Sequence, residues 1–427
     1  MDYTIKSVGG LQVLDSRGRP TLKVYVRTGS GRGYGYAPSG ASRGEREAIE
    51  LRDGGKRWLG YGVGRALSIL ETQIAPRLTG LDSRMQAFID GILIALDGTP
   101  NKSRLGGNTT TATSIAVARA AADTAQLEPF EYLGGPGARL LPTPLLNVIN
   151  GGAHAGNELS IQEFMIIPVN ADTFKDALRM AVEVYGNLKI IIKEKYGPNS
   201  INVGDEGGFA PPLRKTRDAL DLLVEAIKRA GYEPGTDFFL GIDAAASQFY
   251  DKEKDIYNID GGVMDWQGLL EFYSSLVEEY PIKYIEDPFD EDAFMHYAEL
   301  TRRIGGKTLI VGDDLYTTNT RYLKKGIEAR STNAVLVKIN QVGTLTETID
   351  FVRDASHYGL RSIISHRSGE TEDPFIADLA VALSTGLIKT GAPARGERTA
   401  KYNRLLEIED ILQSSARYAG VRPFTGW

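Results

Sequence analysis

From residue 238 onward the chain repeats one small pattern: an apolar run of buried-strand length that stops at a single ionisable residue. The runs FFLGID, IKYIED, TLIVGD, AVLVKI, RSIISH and LIKTG deliver Asp243, Glu286, Asp313, Lys338, His366 and Lys389. From Glu286 onward the intervals are 27, 25, 28 and 23 residues, each the length of one strand, loop, helix and return loop. That rhythm predicts a (β/α)8-type barrel. In such barrels the side chains just beyond the strand C-termini converge on the face that carries active sites. Three carboxylates and two lysines are therefore expected in one pocket.

A chain of 427 residues exceeds what one hydrophobic core serves, so a second domain is expected. Strands precede helices in the first part, the order of an α+β domain. PTLKVYVRTG alternates Leu22, Val24 and Val26 against Lys23, Tyr25 and Arg27, as a half-buried strand does. Helical spacing over 81–96 places Met85, Phe88, Ile89, Ile92, Leu93 and Leu96 on one face, with Asp82 as the expected N-cap. GGNTTTATSIAVARAAADTAQ reads as a further helix with a weak, threonine-rich start. The Gly- and Pro-rich LGGPGARLLPTP marks the linker. The expected division is residues 1–138 as an α+β capping and lid domain, and 139–427 as the barrel. Two long amphipathic patterns, TFKDALRMAVEVYGNLKIIIKEKY and TRDALDLLVEAIKRAG, fit its outer helices.

Composition narrows the chemistry. The absence of cysteine excludes thiolate nucleophiles and thiolate metal sites, leaving oxygen and imidazole as ligands. A net charge of -6 gives no electrostatic footprint for nucleic acid. No apolar stretch is long enough to span a bilayer, and the opening residues lack a secretory signal pattern, so a cytoplasmic enzyme with a small-molecule partner is expected.

Asp243, Glu286 and Asp313 are hard oxygen donors from separate strand ends, the donor set that Mg²⁺ prefers. Singly, each could equally cap a helix or pair with a base. Together in a shielded pocket they repel, and a divalent cation resolves the repulsion. Lys338 lies in a strand apolar on both sides of it; desolvation there disfavours its charged form and points to a proton-abstracting base. The alternative is a snorkelling structural lysine. Glu206, framed by Gly204, Gly207 and Gly208, sits in a loop free to approach a ligand closely, and a carboxyl there suits a general acid facing Lys338. By composition alone the same loop is a surface turn. His366 opens SHRSG, where Arg367, Ser368 and turn amides suit an oxyanion such as phosphate. His154 lies in the Gly-rich loop NGGAHAGN, while His296 and His357 fall in amphipathic helix patterns and are set aside.

With these residues in view, the chain resembles the enolase family along essentially its full length. The shared strings run in order: LDSRG, PSGAS, NGG.HAGN, IQEFMI, NVGDEGGFAP, EDPF, VGDDL, LVKINQVGT, SHRSGETED and KTGAPARGER. The resemblance implies reversible dehydration of 2-phosphoglycerate to phosphoenolpyruvate. Lys338 would remove the C2 proton and Glu206, with Glu163 beside it, would assist loss of the C3 hydroxyl. It implies Asp243, Glu286 and Asp313 as ligands of one Mg²⁺ and Ser42 as a lid ligand of a second. Arg367, Ser368 and the loop residue His154 would meet the phosphate, Lys389 the substrate carboxylate, and His366 would complete the pocket. A homodimer or octamer is implied as well. Three departures stand in the capping domain: Arg43 in SGASRG, where the family usually has Thr, SRGRP where SRGNP is common, and NTTTATS in place of a more apolar helix start. The small residues of PSGASRG suit a mobile lid. Competing readings are a superfamily relative acting on a non-phosphorylated carboxylate, opposed by Arg367, Ser368 and Lys389 together, and a silent scaffold, opposed by the retained Lys338, Glu206 and metal acids.

Overall fold

The computed structural model describes residues 1–40 and 46–426. Ser42, Arg43 and most of the expected lid lie outside them. The strand expected from PTLKVYVRTG is Pro20–Thr28, the middle of an antiparallel sheet with Ile5–Leu14 and Arg32–Tyr36. Leu22, Val24 and Val26 face inward and are fully buried. The threonine-rich helix, Gly107–Ala125, packs across this sheet and is buried along almost its whole length. The approach is close enough that a Cβ at Gly33 would meet the Ala116 carbonyl oxygen at 2.2 Å, which is why glycine stands in that strand.

The helix expected over 81–96 begins later, at Gln86, and ends at Asp97. Asp82 does not cap it. Its carboxylate instead accepts the Arg84 backbone N–H at 2.9 Å and pairs with the Arg84 guanidinium. Met85 and Phe88 consequently stand half exposed, while Ile89 and Leu93 are buried. Asp90, on the same helix, is buried too, because it reaches the other half of the molecule.

That half is a closed barrel of eight strands. Each apolar run read from the sequence is one of its strands: Phe238–Asp243, Ile282–Glu286, Leu309–Gly312, Ala334–Val337, Arg361–Ser365 and Leu387–Lys389. Apolar residues on both faces of these strands are buried, as strands covered by helices outside and side chains inside must be. Thr143–Asn150 and Glu163–Pro168 complete the circle. The second of these runs antiparallel to both its neighbours, so the barrel departs from a uniformly parallel (β/α)8 pattern. The cause is local. The twelve residues 151–162 that join the pair hold one 3₁₀ turn, Gly152–His154, and no helix, whereas a parallel crossover is usually made by a helix.

The reversal sets where the chemistry falls. A strand running away from the mouth begins at the mouth, so Glu163 lies level with Asn150 on one side and Asp243 on the other. Two helices, Phe174–Tyr196 and Thr216–Arg229, must then follow before the next strand can rise. The loop between them returns to the mouth, carrying Glu206.

The two halves are joined by side chains that finish a helix. Leu345–His357 begins at the N-cap Thr344. Its Leu345 N–H donates to Ser114 Oγ at 2.9 Å and its Thr346 N–H to Asp90 Oδ2 at 3.0 Å. Lys102 Nζ reaches Glu347 Oε1 at 3.0 Å, and Arg119 grips Asp373 through two bonds of 2.9 and 2.6 Å. Among the described residues no helix is long and apolar enough to cross a membrane. Because a lost cap costs about 1 kcal/mol, Asp90→Ala should lower unfolding stability by about 1–2 kcal/mol in urea, and Asp90→Asn, which keeps an acceptor, by less. An Ala variant as stable as the parent would show that this contact does not hold the helix start.

Candidate active site

Asp243, Asp313, Lys338, His366 and Lys389 line one cleft at the barrel mouth. Their strands are in register there: Asp243 lies beside Glu286, and Lys389 beside Ser365. Glu163, Glu206, His154, Arg367 and Ser368 line the same cleft. Glu286 sits just beneath, fully buried.

Lys389 occupies the centre of the acidic group. Its ammonium lies 2.9 Å from Asp243 Oδ2, 2.8 Å from Glu286 Oε2 and 3.2 Å from Glu163 Oε2. The repulsion expected among the acids is thus already offset, by a lysine rather than only by a metal. Burial would neutralise Lys389, but Asp243, Glu163 and Glu286 outweigh it and hold its pKa well above the usual lysine value. The donor chemistry fits a hard divalent cation, since buried carboxylate oxygens already converge on one positive charge. Glu163 Oε2 has no hydrogen-bond partner among the described residues. Two sets of ligand atoms among the described residues come within 4.8 Å of one another, Asp287, Asp313 and Asp314, and His154, Glu163 and Glu206; neither contains Asp243 or Glu286.

Lys338 corrects the expectation of a lysine pushed toward neutrality. Burial does disfavour its charge, yet the Asp313 carboxylate forms a short ion pair with it and the balance lies above the ordinary lysine value. Asp313 also accepts from Gln341 Nε2 at 2.9 Å. The loop that carries it is held by Asp287, whose carboxylate accepts the backbone N–H groups of Asp313 and Asp314, each at 2.9 Å.

The GDEGG loop is no surface turn. Glu206 is buried, and Gly207 has φ +84°, where a Cβ would also meet the Ala394 carbonyl oxygen at 2.8 Å. Glu206 accepts from Asn147 Nδ2 and Ser368 Oγ, both at 3.0 Å. Burial works against its charge, but the imidazoles of His154 and His366 and the Arg398 guanidinium hold it well below the usual carboxylate range. Glu163 goes the other way, raised by burial and by the charge of Glu206. Of the two carboxylates, Glu163 is therefore the one that takes up a proton more readily.

His366 is the neutral imidazole of this group. Burial pushes it down to about 3, and Arg398 Nη1 faces its Nδ1 at 2.6 Å. A guanidinium can only donate, so Nδ1 accepts and Nε2 carries the proton, 3.5 Å from Glu206 Oε2. His154 completes the cluster, with Nε2 at 3.2 Å from Ser368 Oγ and Nδ1 at 3.5 Å from Glu163. The other two histidines stay outside: His296 stacks on Trp266 in a helix, and His357 ends one.

Arg367 is not the open anion clamp that SHRSG suggested. Glu47, from the other half of the chain, fills its fork with bonds of 2.9 and 3.0 Å, and Asn340 Oδ1 accepts a third at 3.0 Å. Sequence reasoning missed Glu47, Gln341, Asn147, Asp287 and Arg398. Asp287 falls in EDPF, Gln341 in LVKINQVGT and Arg398 in KTGAPARGER, but a string does not mark which of its residues meets a distant partner. Arg398 is fully buried and donates to the carbonyl oxygens of Arg367, Ser368 and Asp205 at 2.6, 2.6 and 3.0 Å, tying the SHRS loop to the GDEGG loop.

Comparison with known proteins bears on the whole chain. Residues 5–133 match the family model described as the enolase N-terminal domain, and residues 138–425 the one described as the enolase C-terminal TIM barrel domain. An enolase of Aeropyrum pernix is 60% identical over 420 residues, covering 98% of this chain and 97% of that protein. An enolase of Pyrococcus furiosus is 52% identical over 420 residues, 98% of each chain, and one of Saccharolobus islandicus 54% identical over 409 residues, 96% of each.

Removing Arg398 leaves three buried carbonyls and a buried imidazole without their donor. Such orphaned groups cost about 1–3 kcal/mol each before relaxation. Arg398→Met should therefore lower the stability measured by urea unfolding by at least ~2 kcal/mol. A midpoint equal to the parent's would mean that the two loops do not depend on it.

Proposed function

Because this chain belongs to the enolase family, the phosphopyruvate hydratases among the carbon–oxygen lyases, we propose that it interconverts 2-phosphoglycerate and phosphoenolpyruvate with Lys338 as base and the Glu206–Glu163 pair as acid. The observation that supports this most directly is the cleft itself: the partly buried Lys338 and the buried Glu206–Glu163 pair line the same narrow space, with Glu163 the more readily protonated of the two acids. In this reading Lys338 Nζ takes the proton from C2. The electron pair left behind spreads onto the substrate carboxylate, which Lys389 meets. The departing C3 hydroxyl then takes a proton from the Glu206–Glu163 pair and leaves as water. Ser368 and His154 receive the phosphate, joined by Arg367 once the phosphate displaces Glu47 from its fork, and His366 with its fixed tautomer borders it.

Asp243, Glu286 and Asp313 would hold one Mg²⁺, and Ser42, outside the described residues, a second. Bound there, divalent cations supply positive charge for the second negative charge that proton removal places on the carboxylate, and offset the Asp313 charge that otherwise keeps Lys338 protonated. The same reading divides the chain at residue 138 and places a homo-oligomer in the cytoplasm.

Exhaustive chelation should abolish phosphoenolpyruvate formation followed by absorbance, and added Mg²⁺ should restore it; full turnover without metal would end the metal assignment. The acid and base are separable in D₂O. Lys338→Ala should lose both dehydration and exchange of the C2 hydrogen, whereas Glu206→Gln should lose dehydration yet keep exchange detectable by NMR. The opposite pattern would reverse the two roles, and free exchange in both variants would leave neither as the base.

A further inference from the structure

Tyr284 lies two residues before Glu286 on the strand Ile282–Glu286, so the two side chains point to the same, inward face of the barrel. Its ring belongs to the cluster that fills the barrel interior, with Leu145, Met165, Ile167, Leu309 and Leu336, and it is fully buried. The hydroxyl donates to Glu286 Oε2 at 2.5 Å, its one hydrogen bond among the described residues. The neighbouring strand passes close beside the ring: a Cβ added at Gly241 would meet Tyr284 Cβ at 3.2 Å and its ring Cδ1 at 3.4 Å. Glu286 is thus held by two donors of different kinds. Lys389 grips both its oxygens from the mouth at 2.9 and 2.8 Å. Tyr284 grips only Oε2, from within the barrel.

We propose that Tyr284 is a positioning residue for the Glu286 carboxylate, fixing Oε2 from the barrel interior so that Oε1 is presented at the mouth to a divalent cation. The inference rests on the reading of Glu286 as a metal ligand. An ammonium at the mouth competes with an incoming cation for the same oxygens, whereas a neutral phenol below them does not. The hydroxyl therefore keeps the carboxylate oriented in both situations. Groups that hold a ligand from behind typically change metal affinity by 10–100-fold when removed.

The test is calorimetric titration of the whole protein with Mg²⁺ alone, in the parent, Tyr284→Phe, Glu286→Gln and the double variant, with thermal unfolding of each metal-free protein measured alongside. Tyr284→Phe should raise the Mg²⁺ Kd about ten-fold while the metal-free protein unfolds near the parent's temperature. Glu286→Gln should weaken binding further, and adding Tyr284→Phe to it should change nothing more, since the hydroxyl acts only through that carboxylate. If Glu286→Gln weakens binding but Tyr284→Phe leaves Kd unchanged, the positioning role is wrong and the ligand assignment stands. If Glu286→Gln itself leaves Kd unchanged, the ligand assignment fails and the inference with it. Equal loss in the single and double Tyr284 backgrounds without coupling would also overturn it. Should Tyr284→Phe not fold, Tyr284→Met removes the same hydroxyl with an adaptable side chain and carries the same expectations.

Discussion

A single ammonium buried among three carboxylates holds the barrel mouth together. Asp243, Glu286 and Glu163 come from three adjacent strands, and each would carry a desolvation penalty of several kcal/mol if left charged and alone. Lys389, from a strand two places round the barrel from that of Glu163, meets all three. The acids can therefore face one another across the closed sheet without forcing it open. The arrangement also explains why the remaining charges are sorted in pairs: Lys338 with Asp313, Arg367 with Glu47. Each base near the mouth already has an acid, and what distinguishes the positions is which pairing an incoming anion or cation can replace.

The reversed second strand has an equally wide effect. Had it run parallel, its first residue would lie at the barrel floor and Glu163 with it. The loop bearing Glu206 would have no reason to reach the mouth. One connection that forms no crossover helix thus brings two carboxylates to the same depth as the strand-end residues. Their proximity then splits their acidity, with burial and the charge of Glu206 raising the pKa of Glu163.

Much of this was legible in the sequence because strand-end residues announce themselves: an apolar run stops, and the first ionisable group after it must face the mouth. Asp243, Glu286, Asp313, Lys338, His366 and Lys389 were all found that way. The strand reversal was not, since an apolar run carries no mark of its direction. Glu47, Gln341 and Arg398 were hidden for a different reason. They act through partners tens to hundreds of residues away, as Arg398 does on Asp205, and no local periodicity records such a pairing. Asp82 misled because an Asp before an apolar face is a cap signal, but its side chain satisfied a nearer backbone amide and the helix began four residues later. The protonation of Lys338 was misjudged from burial alone, before the strength of its ion pair with Asp313 could be seen.

The helix Leu345–His357 starts on donors that another part of the chain satisfies, Ser114 and Asp90 accepting from Leu345 and Thr346. A barrel detached from the first 125 residues would keep its closed sheet yet expose an unfinished helix directly behind the strand that carries Lys338. The barrel is in this sense not a module. Its hydrogen bonding is completed only in the presence of the capping region, so exchanging either part between proteins means rebuilding that seam.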